Sequence, residues 1–407
     1  MPENIVIVGA GQAAVQAIET LRRRGFDGGI TLIGEEPWLP YQRPPLSKKY
    51  LAGSMERERL FVRPAEYYLT HAIDLRLGRR VEEVSRSDQR VALDDGSKVP
   101  YDSLLLATGV RARALTVPGA DLEGVFSVRT IADVERMRAH IAPGKRLVIV
   151  GGGYIGLEMA ATLSTLGLEV TVLELADRVM GRVVDPVVSE FFAQEHVRRG
   201  VRIICNARVR ELQASSGSRS VGVVVTEDGA RFSADLVVVG VGVVPTEELA
   251  SAAGLACERG ITVDDRCRTS DAAIFAAGDC ANHPSARFGC RLRLESVDNA
   301  VEQGTSAALN MLGLDTVHDK VPWFWSDQYD LKLLIAGINQ GHDTVVVRGE
   351  PAARAFSVCY LQNGELLAID TVNRPQDHMA GKKMIAARAR PDLNKLADAR
   401  VPLRETC

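Results

Sequence analysis

Cysteine is absent from the first half of the chain. The seven that occur (Cys205, Cys257, Cys267, Cys280, Cys290, Cys359 and Cys407) form no C-x-x-C or C-x-x-x-x-C pair, so a closely spaced redox dithiol is excluded. No two histidines stand four residues apart and none has a cysteine at ligand spacing, so no metal site is expected. Long apolar runs are missing too. The longest, Leu236 to Val244, is broken by Gly240 and Gly242 and falls far short of the roughly 18–20 residues of a membrane helix. The opening MPENIVIVGAG lacks a basic start, an apolar core and a cleavage site, which leads to an expected cytoplasmic location. Neither sign of charge dominates: 49 Lys and Arg face 52 Asp and Glu, with a pI near 6.2. That balance argues against a general nucleic-acid binder or an acidic-lipid anchor.

What is present is 407 residues of ordinary globular composition, 46% hydrophobic and 25% charged, enough for two or three domains. Ile5-Val6-Ile7-Val8 runs into Gly9-Ala10-Gly11-Gln12-Ala13-Ala14 and then into helical spacing through Leu21, the pattern of strand, glycine turn and helix. A second strand, Ile30 to Ile33, ends at Gly34-Glu35-Glu36. The design recurs with Arg146 to Val150, Gly151-Gly152-Gly153-Tyr154-Ile155-Gly156, a helix through Leu166, and a strand ending at Glu174. Each copy continues to a turn (Asp95-Gly96, Asp228-Gly229) and an apolar strand ending at Gly109 or Gly240. The offset stays between 131 and 142 residues, which indicates two related nucleotide-binding domains.

A short strand, Ile274 to Ala277, then ends at Gly278-Asp279, and a helix is expected from about Ser296 to Leu312. Neither fits a third copy, so the chain is expected to return to the first domain. From Val321 the texture turns aromatic and β-branched, with an Asn363-Gly364 hairpin signal and a helix from about Gln376 to Arg388. The expected architecture is α/β. It has two Rossmann-like, doubly wound domains, the first made of 1–110 and 248–320 and the second of 111–247, plus a C-terminal α+β domain over 321–407.

Gly9-x-Gly11-x-x-Ala14 and Gly151-x-Gly153-x-x-Gly156 each lie between a strand and a helix, the setting that the dinucleotide fingerprint requires. The first glycine permits the turn, the second lets backbone approach pyrophosphate, and the third position packs helix on strand. Free N–H groups at the helix start then favour the anion. Glu174 ends the second strand of its copy, where a carboxylate accepts from a ribose 2′-hydroxyl and repels the 2′-phosphate of NADPH, so NADH is expected. Glu35 is the matching acid in copy one, with Glu36 the close alternative.

Together with Tyr41-Gln42-Arg43-Pro44-Pro45-Leu46-Ser47-Lys48, Ala107-Thr108-Gly109, Ala276-Ala277-Gly278-Asp279, Glu295-Ser296-Val297-Asp298-Asn299-Ala300 and Pro322-Trp323-Phe324-Trp325-Ser326-Asp327-Gln328, these motifs resemble the FAD-dependent, NADH-oxidising ferredoxin reductases. That putidaredoxin reductase-like family, of glutathione-reductase-type fold, serves bacterial haem-thiolate monooxygenases and Rieske dioxygenases. The resemblance runs through essentially the whole chain; Thr246, where relatives often carry asparagine, departs from it. It implies a flavoprotein that passes electrons from NADH through FAD to an iron–sulfur ferredoxin.

By the same resemblance, FAD is held by Gly9, Gly11, Ala14, Thr108 and Gly109, by backbone at Ala13 and Val81, by Glu35, and by Arg43, Lys48, Arg129, Asp279 and Val297. NADH falls to Gly151, Gly153, Ile155, Gly156, Glu174 and Gly240. Lys48 is implied to lie beside flavin N5, paired with Glu158, and Trp325 to border the isoalloxazine on the ferredoxin side. Asp279, at a strand's carboxyl end, is placed to accept from ribityl hydroxyls. Val297 begins a helix whose free N–H groups would stabilise reduced flavin. Ferredoxins of this kind are acidic, so Arg287, Arg291, Arg293, Lys382 and Lys383 are candidate docking charges.

Two other functions use the same scaffold. A flavin-dependent disulfide or peroxide reductase would need Cys280 or another isolated cysteine as its thiol. An NADH-binding interaction protein of the apoptosis-inducing-factor type would turn over slowly and reduce no ferredoxin.

Overall fold

The strand Asn4–Val8 is buried on both sides from Ile5 onward, the mark of a parallel strand covered on both faces. A computed structural model, which describes residues 2–407, places it at the centre of a five-stranded parallel sheet. Gly29–Gly34 and Ile73–Leu77 lie on one side of it, Ser103–Leu106 and Ile274–Ala276 on the other. Ile5 and Ile7 point into one core with the helices Gln12–Arg23 and Val297–Met311. Val6 and Val8 point into a second core, shared with Val84, Val91 and Val99 of an antiparallel sheet formed by Val81–Ser85, Arg90–Leu93 and Lys98–Pro100. The two helices approach so closely that a Cβ on Gly304 would stand 2.5 Å from the Ala13 carbonyl oxygen.

These elements form the first of two compact units, which comprises the chain up to Gln42, Arg57–Arg111 and Val244–Pro322. The second comprises Arg43–Glu56, Ala112–Val243 and Trp323–Cys407. At its centre Arg146–Val150 is flanked in parallel by Glu169–Leu173 and Leu236–Val239, with Arg202–Ile204 and Val125–Phe126 at the edges. An antiparallel sheet of Val209–Ala214, Val221–Thr226 and Arg231–Ser233 shares a core with Val148, Val150 and Val237.

The second unit also holds a five-stranded antiparallel sheet, in the order Trp323–Gln328, Leu331–Gly337, Glu365–Val372, Ala355–Gln362, Thr344–Glu350. Its central hairpin turns at Asn363 (φ 50°) and Gly364 (φ 79°), the positive pair that a tight turn of matching twist needs. The helix Pro375–Ala386 covers Leu331–Gly337 and Glu365–Val372. Among the described residues, no helix is long and apolar enough to cross a membrane.

Arg43–Glu56 lies inside the first nucleotide-binding repeat by sequence, yet its bonds run to the second unit. Arg43 donates to the Arg129 carbonyl at 2.6 Å, and the Tyr50 hydroxyl donates to Glu135 at 2.9 Å. Arg138 lies over the Tyr50 ring, and Thr162 donates to the Ser47 carbonyl.

Candidate active site

The two glycine turns close in the same way. Gly9 (φ 103°) could carry no side chain, because its Cβ would stand 2.2 Å from the Ala107 carbonyl oxygen; at Gly151 (φ 108°) the Gly240 carbonyl oxygen would be 2.4 Å away. In the second copy Gly156 is needed as well, with its Cβ 2.1 Å from the Gly151 oxygen, whereas the first copy accommodates the fully buried Ala14. Gly11 and Gly153 differ from these: a Cβ on either would meet nothing within 4 Å. They leave open room at the starts of the helices Gln12–Arg23 and Tyr154–Thr165. Neither helix has a capping side chain or an acid in its first turn. The other helices of eight or more residues have one or the other: Thr130, Asp185 and Ser296 cap theirs, and Asp377 lies in the first turn of the last. Open room before uncapped N–H groups suits the pyrophosphates of FAD and NADH. Ile155, in the first turn, is 45% exposed.

The acids behave differently. Glu35 is exposed and pairs with Arg80 at 2.8 Å, while the more buried Glu36 accepts from the Tyr41 hydroxyl at 2.6 Å. Glu174 turns back on its own loop, where Oε2 accepts the Gly152 N–H at 2.6 Å and Oε1 the Ala176 N–H at 2.8 Å. It therefore also shapes the turn before the helix.

Around Glu158 the second unit gathers three donors on one buried carboxylate. Lys48 Nζ is 2.5 Å from Oε2, the Ser47 hydroxyl donates to the same oxygen at 2.7 Å, and the Ser326 hydroxyl donates to Oε1 at 2.8 Å. Lys48 owes its place to the short 3-10 turn Pro44–Ser47, whose prolines restrict the backbone. The family resemblance pointed to Lys48 and Glu158, which the residues alone did not, and neither reading singled out the two serines. The period of two in Trp323–Gln328 carries a signal for the second. Trp323 and Trp325 share one face, with ring centroids 5.5 Å apart, and Ser326 and Gln328 fall on the other with no exposed surface. Trp325 is half-buried, and Lys382 lies over the Trp323 ring at 5.5 Å.

In the first unit, Thr108 donates to the Thr246 carbonyl at 2.6 Å and the Thr246 N–H returns to the Gly109 carbonyl. Val81 is buried at the start of its strand, and Asp279 is half-buried just after Gly278. Two expectations need correction. The helix at Val297 does not begin with all its N–H groups free, because the Ser296 hydroxyl accepts from Asn299 and Asp298 adds an acid to the first turn. Arg291 and Arg293 are not simple docking charges. Arg291 donates to the Val263 and Asn282 carbonyls, and Arg293 donates to the Asp279 carbonyl and pairs with Glu295.

Cys280 is fully buried, bonded through Sγ to the Leu106 and Ala277 carbonyls, and burial raises its thiol pKa, the opposite of a reactive thiolate. In the C-terminal sheet, burial pushes the Asp370 carboxyl up to about 7; it accepts from the Tyr360 hydroxyl at 2.5 Å, and that hydroxyl accepts the Asp185 N–H.

The fold and sequence are shared with known proteins over nearly the whole chain. Residues 3–304 match the pyridine nucleotide-disulphide oxidoreductase family, to which the chain belongs, and residues 323–407 match the reductase C-terminal family. Within that family the chain is 46% identical to rhodocoxin reductase of Rhodococcus erythropolis, covering 94% of this chain and 89% of that protein. It is 42% identical to putidaredoxin reductase of Pseudomonas putida, covering 99% and 96%. The covalent putidaredoxin reductase–putidaredoxin complex contains a chain that superposes with a TM-score of 0.96 at 42% identity, covering 99% of this chain and 98% of that one.

Proposed function

We propose that this chain is a flavoprotein reductase that takes electrons from NADH and delivers them, through FAD, to an acidic iron–sulfur ferredoxin supplying a haem-thiolate monooxygenase or a Rieske-type oxygenase. The observation that carries it is the pair of glycine turns, each opening a helix with neither cap nor acid. Bound FAD supplies the conversion of a two-electron hydride donor into a one-electron donor.

The protein's own residues bind and orient. Gly9, Gly11, Ala13 and Ala14 cradle one pyrophosphate, with Glu35 on the adenosine ribose and Val81, Thr108, Gly109, Asp279 and Val297 along the rest of FAD. Gly151, Gly153, Ile155, Gly156 and Gly240 take NADH, and Glu174 selects against a 2′-phosphate. Arg43 and Arg129 act with them on FAD. Lys48 keeps a cation at the hydride-receiving position, oriented by Glu158. Trp325 borders the exit towards ferredoxin. The functional division is FAD binding by 1–110 and 248–320, NADH binding by 111–247, and a C-terminal domain over 321–407. Seven free cysteines and the use of NADH support a cytoplasmic setting.

The test is steady-state reduction of candidate ferredoxins by the purified yellow protein, with NADH and NADPH compared. Rapid, NADH-selective turnover is expected. Slow flavin reduction and no ferredoxin reduced would instead favour a binding role.

A further inference from the structure

Gln303, in the middle of the helix Val297–Met311, has no exposed surface. Its Oε1 accepts the Gly278 N–H at 2.8 Å, with Asn299 Nδ2 at 3.4 Å from the same oxygen, and its Nε2 stands 2.9 Å from His283 Nδ1. A backbone N–H can only donate, so the oxygen must face Gly278 and the amide nitrogen must face His283. His283 Nδ1 must then accept, which makes the ring neutral with its proton on Nε2.

The surroundings of the ring agree. Burial first, then the His318 ring at 4.9 Å and Arg291, bring His283 down to about 3. Asp298, Glu302, Asp319 and Lys320 line the recess beside it. A proton on Nδ1 would oppose the amide N–H. Relieving that clash by turning the amide over would aim its NH2 group at the Gly278 N–H. The orientation of Gln303 and the charge of His283 are thus one variable.

Gly278 (φ 85°) leads directly into Asp279, and a Cβ there would stand 3.3 Å from Ala13 Cβ. Asn299, which bonds Ser296 and the Leu294 carbonyl, ties the same glutamine to the start of the helix at Val297. We propose that Gln303 is a positioning residue for the flavin: it holds the Gly278–Asp279 turn and the Val297 helix start in one frame, and neutral His283 keeps its amide in the working orientation. This rests on the reading above that Asp279 and Val297 contact FAD.

The experiment measures the FAD dissociation constant and the flavin midpoint potential of the holoenzyme and two variants. Gln303→Leu leaves the Gly278 N–H unpaired, so the dissociation constant should rise roughly tenfold or more and the potential should shift. Gln303→Glu keeps an acceptor for Gly278 but sets a second acceptor against His283 Nδ1. The introduced carboxylate favours protonation of that ring, so FAD binding should be weak near pH 8 and recover towards the wild-type value as pH falls to about 5.5. A simple packing role would not produce that pH-dependent rescue. The proposal is overturned if Gln303→Glu follows the wild-type pH profile, or if a folded Gln303→Leu keeps the wild-type constant and potential. Should Gln303→Leu not fold, the Gln303→Glu profile decides alone. Wild-type protein without FAD overturns the flavin reading itself, whereas loaded wild type with indifferent variants removes only the role of Gln303.

Discussion

Lys48 Nζ stands 2.5 Å from Glu158 Oε2, on a carboxylate that also takes hydroxyl bonds from Ser47 and Ser326. The two serines satisfy the buried acid in part by themselves, so the lysine is not its only compensation. A residue that is partly dispensable for folding, yet fixed in place, is suited to a task in the reaction.

Lys48→Ala should therefore still fold and bind FAD, while flavin reduction at saturating NADH slows on the order of tenfold or more through lost positioning. Stopped-flow absorbance decides. An unchanged rate in the FAD-loaded variant would return Lys48 to the status of a loop lysine.

Glu174→Ala should lower discrimination between NADH and NADPH by about 1–3 kcal/mol. Because Glu174 also holds the Gly152 and Ala176 N–H groups, kcat/KM for NADH itself should fall. Equal kcat/KM values for the two nucleotides in the unmodified enzyme would refute the assignment of Glu174.

The glycine turns and the strand-end acids were readable from the residues themselves, because each reflects a backbone constraint or a charge at a fixed place in the strand–turn–helix pattern. The Lys48–Glu158 pair was not: by composition and spacing one is a loop lysine and the other a helix glutamate, and only the family resemblance pairs them. The turn at Asn363-Gly364 was legible through its turn chemistry, and the region of the strand Trp323–Gln328 only through the aromatic, β-branched texture from Val321 onward. What escaped was set by tertiary distance. Ser47 and Ser326 are unremarkable until the fold brings them to one carboxylate, and Gln303 looks like any helix glutamine until Gly278 and His283 close on it. The attachment of Arg43–Glu56 to the second unit depends on Arg43, Tyr50 and Thr162 meeting partners far away in the chain.

Asp370 gives a pH prediction. Its folded pKa is about 7, raised from 3.8 by burial, so the folded state holds a proton that the unfolded chain releases. The contribution to stability is complete below about pH 4 and is lost progressively as pH rises through about 7. Asp370→Asn should remove that slope and gain stability relative to wild type near pH 8. Urea unfolding of both proteins at about pH 5 and about pH 8 measures it, and parallel pH profiles would contradict the raised pKa.

Arg291 and Arg293 are held by carbonyls and, for Arg293, paired with Glu295, so the variants that test docking with least disturbance of the fold are at Lys382 and Lys383. Their replacement by alanine should weaken ferredoxin turnover, and salt between about 0.05 and 0.3 M should do the same, with NADH-to-ferricyanide activity nearly intact. Trp325→Ala should impair ferredoxin more than ferricyanide. Parallel losses with both acceptors would remove this face from consideration.

Gly9 and Gly151 each lie against a carbonyl from a strand far along the chain, Ala107 in one case and Gly240 in the other. The nucleotide loop is therefore not a self-contained cassette. A chimera that carries Gly151–Gly156 into another reductase without the strand end at Gly240 would arrive with half its mould missing. Any exchange of nicotinamide preference by grafting has to move two separated segments together.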